Sequence, residues 1–137
     1  MRPPVSERYF APEEVATLIP ALTETMGDMM AAHREAGTVR DEMRQDQQRI
    51  GLAGGAALDQ AAWQGWRVRL EALGARVQAG MEAIAGLGGA TKDLDLGLVD
   101  FPHLRDGRVV NLCWKHGERE IRFWHGLDEG FAARKPL

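Results

Sequence analysis

The sequence predicts a mainly α-helical fold, a long antiparallel two-helix hairpin of coiled-coil type with a small C-terminal β-hairpin. Three observations lead there: two stretches of about thirty residues in which apolar side chains recur every three or four positions, a glycine cluster closing each stretch, and a change past Gly89 from that period to alternation. At 137 residues the chain is long enough for one core and too short for two, so 1–137 is read as a single domain.

The first helix is expected over 12–50. Pro12 suits the first helical position, where its missing N–H would have no partner anyway, and Glu13 and Glu14 set negative charge at the positive end of the helix dipole. Val15, Ile19, Leu22, Met26 and Met29 define one face, and His33, Ala36, Arg40, Met43, Gln47 and Ile50 continue its register. Pro20 removes one intrahelical hydrogen bond and crowds the carbonyl of Ala16, which predicts a kink or a short break near Ile19. The opposite face, with Glu24, Asp28, Glu35, Thr38 and Glu42, is expected to be solvated. Gly51 to Gly55 end the helix.

The second helix is expected over 57–87, with Trp63, Trp66, Leu70, Leu73, Val77, Gly80, Ile84 and Leu87 facing the first and Gly88-Gly89 closing it. Arg40, on the seam of the first helix, would then meet Glu71 and fix the register, as polar seam residues commonly do. A crossover loop over 88–107 follows, with turn signals at Asp100-Phe101-Pro102 and Asp106-Gly107. The β-hairpin is placed at 108–125 and the tail at 126–137. A turn centred on His116-Gly117 would pair Leu112 with Ile121 and Val110 with Phe123, so that Val110, Leu112, Trp114, Ile121 and Phe123 share the face that docks on the helices.

On another face of the second helix lies a row of small residues: Ala61, Gly65, Val68, Ala72, Ala75, Ala79 and Ala83. A lone helical hairpin buries one seam, which rarely offsets the entropy of ordering its residues, so this row needs cover from the C-terminal segment or from a second copy of the chain. A homodimer is the expectation, with an unidentified protein partner as a further one. Nucleic acid is not an expected partner: residues 1–100 carry 10 Lys and Arg against 15 Asp and Glu, and 101–137 carry 7 against 5, which is no concentrated basic face. No membrane is expected either, since no run of eighteen apolar residues occurs, and the single Cys113 fits a reducing, cytoplasmic setting.

The last third carries a resemblance. Lys92-Asp93-Leu94 through Pro102, then Leu112-Cys113-Trp114 with Gly117-Glu118, then Trp124-His125 and Gly130-Phe131 with Arg134, resemble the ending of an uncharacterised bacterial family, domain of unknown function 2203. Tyr9-Phe10, Glu13-Glu14 and Leu18-Ile19-Pro20 resemble its opening. Ala11 departs from an expected capping hydroxyl and Ala133 from an expected glycine. The resemblance implies no activity.

Asp100, Glu118, His125 and Arg134 form the expected polar binding cluster, with Asp100, His125 and Arg134 pinning the tail. No catalytic residue is assigned, because no nucleophile or phosphate-binding loop accompanies them. Cys113, His116, Glu118 and His125 are suitable metal-ligand types. In the expected register, however, Cys113 and His125 lie about 17 Å apart on opposite faces, so neither metal nor cofactor is expected. The function this leaves is a small assembly or protein-interaction module; the alternative is a small-ligand or metal-dependent enzyme with its site near the C-terminal hairpin.

Overall fold

The computed structural model of the chain describes residues 8–52 and 59–137. Helices α1 (Pro12–Ala16), α2 (Ile19–Leu52) and α3 (Gln60–Leu87) precede strands β1 (Ala90–Asp93), β2 (Leu98–Arg105), β3 (Arg108–Lys115), β4 (Phe123–His125) and β5 (Lys135–Pro136). The strands form one antiparallel sheet in the order β1-β2-β3-β4-β5. A mainly α fold with a small β-hairpin is therefore wrong on its second half: the C-terminal part is a five-stranded meander, and the segment read as a crossover loop supplies two of its strands.

The helical half follows from local chemistry. Pro12 starts α1, and Ala11, lacking a capping oxygen, is served by the carboxylate of Glu14, which accepts its backbone N–H at 2.8 Å. The chain breaks at Thr17-Leu18 and resumes as α2 with Pro20 in its first turn, where a missing N–H does no harm. Asp59 caps α3 by accepting from the Ala62 N–H at 3.0 Å. Gly88, at φ 102°, ends α3 in a Schellman turn, with the Gly89 N–H on Ile84 O at 3.0 Å. The glycine cluster closing α2 and the expected start of the second helix at 57 fall partly on 53–58, outside the described residues.

The buried stripe of α2 is Leu22, Met26, Met29, Ala32, Ala36 and Val39, and it meets Leu73 and Ile84 of α3 with Leu70 and Val77 beside them. The stripe drifts off the expected heptad line after Met29, because a straight helix turns about 20° per heptad away from a 3.5-residue repeat. His33 and Arg40 consequently leave the seam: His33 pairs with Asp95 at 3.1 Å, and Arg40 is exposed. The face expected to be solvated is exposed at Glu24, Asp28, Thr38 and Glu42, and it also bonds to α3. Asp28 accepts from Arg76 at 2.6 Å, Glu35 pairs with Arg69, Glu42 accepts from the Trp66 indole at 3.0 Å, and Asp46 accepts from Trp63 at 2.7 Å. Every carboxylate in that ladder belongs to α2 and every donor to α3.

One face of the sheet closes the inner end of the helices. Val99, Phe101, Leu112 and Trp114 join Phe10, Val15, Leu22, Met26, Met29, Ile84 and Ile121 in one buried cluster. Asp106 (φ 51°) and Gly107 (φ 78°) form a two-residue turn joining β2 to β3, the left-handed pair such hairpins require. Pro102 is tolerated inside β2 because β1 reaches only to Asp100, leaving that stretch a sheet edge; there the Phe10 N–H donates to Pro102 O at 2.7 Å.

The expected pairing of β3 with the following strand is overturned by three residues. Asn111 faces His125, Leu112 faces Trp124 and Cys113 faces Phe123, so Phe123 leaves the helix-facing side, and Leu112 and Ile121 are both buried but are not cross-strand partners. Glu118 is the reason. Its carboxylate accepts the Lys115 N–H at 2.7 Å, its own carbonyl accepts the Trp114 indole N–H at 3.0 Å, and its N–H donates to Lys115 O at 2.9 Å. These bonds fold the chain after Gly117 (φ 102°) into a wide loop, and the ladder restarts only at Phe123.

Candidate functional site

The face of the sheet turned away from the helices carries the polar residues. Asp100 of β2 is the cross-strand partner of Cys113 on β3, and His125 of β4 is that of Asn111, two residues from Cys113 on the same face. The segment from Gly126 to Arg134, with a 3-10 turn at Phe131–Ala133, lies against this face. Asp100, Cys113 and His125 are only 5%, 1% and 2% exposed.

His125 Nε2 stands 3.1 Å from Asp100 Oδ1, and its Nδ1 is 2.8 Å from the Gly126 carbonyl oxygen. A carbonyl only accepts, so Nδ1 carries a hydrogen and Nε2 is the atom turned toward the site. A ligand atom from each of Asp100, Cys113 and His125 lies within 4.8 Å of the others. The inference that Cys113 and His125 stand about 17 Å apart on opposite faces fails with the register on which it rested. Burial and the neighbouring Asp100 push the Cys113 thiol up to about 12, so the sulfur keeps its proton.

Glu118 and Arg134 form a second pair beside the first. Arg134 donates to both carboxylate oxygens of Glu118, at 2.8 and 2.7 Å, and to the Cys113 carbonyl at 3.3 Å. Its guanidinium stacks over Phe123 at 4.0 Å and Phe131 at 4.9 Å from the ring centroids. The four residues expected as one cluster are thus two pairs bridged by Cys113. Asp100 and His125 form the buried pair, whereas Glu118 and Arg134 clamp the tail. Ala133 adopts no left-handed conformation; among the described residues Asp106 is the one non-glycine with positive φ.

Asp100, Cys113 and His125 line a cavity of about 130 Å³ together with Lys92, Asn111 and Glu129. Sequence reasoning names Cys113 as a ligand type but sets it aside on a register that the observed strand pairing overturns, and it misses Asn111; the signal for both is register alone. A wider, open hollow of about 770 Å³ lies at the far end of the helices, lined by Ile50, Trp63 and Arg67 among others. Among its described lining residues Arg67 is the one ionisable group, so the smaller cavity is the site with chemistry.

No helix among the described residues is long and apolar enough to cross a membrane. The chain matches no curated protein and no solved structure. The model of one family, described as an uncharacterized conserved protein (DUF2203), matches residues 8–137, and the chain belongs to that family.

Proposed function

We propose that the protein is an assembly module that works as a homodimer, with α3 of one copy packed on α3 of the other. The observation that carries this reading is the outer half of the helical arm: no described side chain of α2 beyond Val39, and none of α3 before Leu73, is buried, although Ile50, Trp63, Trp66 and Leu70 stand there half-buried. Ordering those residues costs about 1–2 kcal/mol each in backbone entropy, and the half-covered seam offsets little of it. Ala61, Gly65, Val68, Ala72, Ala75, Ala79 and Ala83 are all exposed along α3. Side chains this small admit a second helix backbone at close range, and a two-fold contact would cover the whole row at once. Its setting is taken to be the cytoplasm, the reducing compartment where a lone cysteine stays free.

Light scattering at micromolar concentration tests this. Twice the chain mass of 15.1 kDa is expected, and Ala75→Glu should return the single-chain mass with helicity retained, because it sets an unpaired charge in an apolar seam. A wild-type monomer overturns the reading, as does a dimer that Ala75→Glu leaves intact.

A further inference from the structure

We propose that Asp100, Cys113 and His125 form a binding site for one divalent transition-metal ion of the zinc class, with a fourth coordination position opening into the adjacent cavity. The inference is independent of self-association. The three residues bring one oxygen, one sulfur and one imidazole nitrogen, a donor set that zinc favours and that magnesium or calcium does not. Tetrahedral bonds of about 2.0–2.3 Å place neighbouring ligand atoms about 3.5 Å apart. The three atoms lie within 4.8 Å of one another, with Asp100 and His125 at 3.1 Å, so side-chain shifts of about an ångström would seat an ion among them.

Two further features point to an ion. The Gly126 carbonyl holds His125 by Nδ1 at 2.8 Å and leaves Nε2 aimed at the centre, the outer hydrogen bond that orients metal-bound imidazoles. The second is space. The same three residues line the cavity of about 130 Å³ with Lys92, Asn111 and Glu129, room for about four waters at 30 Å³ each. Three protein ligands and one open position are the plan of reactive rather than purely structural zinc sites.

The test uses the full chain expressed in zinc-supplemented medium and measured by elemental analysis. About one zinc per chain is expected, and Co²⁺ added to chelator-stripped protein should give the intense thiolate-to-cobalt absorption band that surface histidines cannot produce. Cys113→Ser, checked for native circular dichroism, should abolish that band and weaken zinc binding by about 100-fold or more. Because the site is buried and His125→Ala can unfold the chain, thermal unfolding of the wild type with added Zn²⁺ or Mg²⁺ gives a second readout, in which Zn²⁺ alone should raise the midpoint. Wild-type protein that takes up neither zinc nor cobalt overturns the proposal, and so does a folded Cys113→Ser protein that binds as tightly as wild type.

Discussion

Replacing Gly80 by alanine tests how closely the two long helices pack. At an open helical position, Gly→Ala stabilises by about 1 kcal/mol because alanine has less backbone freedom to lose. Gly37 of α2 is such a position: a Cβ there meets nothing within 4 Å. At Gly80 of α3 a Cβ would stand 2.5 Å from Sδ of Met29 and closer still to its Cγ, against an ordinary carbon contact of about 3.5–4.0 Å. Met29 is fully buried and has little room to retreat, so overpacking of about 1–3 kcal/mol opposes the propensity gain. Gly37→Ala should therefore stabilise by about 1 kcal/mol, and Gly80→Ala should be neutral to about 2 kcal/mol destabilising. At about 4 °C per kcal/mol for a chain of this size, the two midpoints should differ by about 4–12 °C in thermal circular dichroism. Met29→Ala should cost less in the Gly80→Ala background than in the wild type, because the double variant relieves the overlap. If Gly80→Ala stabilises as much as Gly37→Ala, the helices do not approach as described.

Glu118→Ala removes the carboxylate whose two oxygens both accept from Arg134 Nη2 and should cost about 1.5–3 kcal/mol in urea unfolding; a variant as stable as wild type would show the clamp idle. The strand register predicts a backbone NOE network joining Asn111 to His125, and finding Asn111 joined to Arg122 instead would restore the tight hairpin. In acid, α1 should fray: Glu14 lies below its ordinary 4.5, chiefly because it accepts the Ala11 N–H and next because of Arg8. A carboxylate depressed in the folded state stabilises fully above 4.5 and loses that contribution as pH falls through its folded value. An NMR titration of the Ala11 amide should report this step, and a step that persists in Glu14→Gln would assign it elsewhere.

The helices were legible because each buries one stripe and because Pro12 and Gly88 mark a start and an end locally, whereas the Asp59 cap of α3 was not read. The first two strands were not. Leu98, Val99, Asp100 and Phe101 are all buried, since helices cover one face and the tail the other, and a strand buried on both faces shows no alternation. Pro102 reinforced the misreading, because only the short reach of β1 makes it acceptable there. The site suffered from a different cause. Asp100 and His125 lie together, but Arg134, grouped with them in the expected cluster, pairs with Glu118, and the place of Cys113 depends on a three-residue shift set by Glu118 side-chain bonds, which no periodicity encodes.

The meander order of the sheet also bears on how the molecule assembles. Each strand pairs with its neighbour in sequence, so no step needs a long loop to close before contacts repay it. The β2–β3 hairpin, shut by two residues at Asp106-Gly107, is the cheapest closure in the sheet and the natural place for it to begin. It brings Asp100 opposite Cys113 at once. His125 arrives only when the loop after Lys115 has folded around Glu118, so the three side chains converge late, and a ligand that needs all three would select chains whose sheet is already complete.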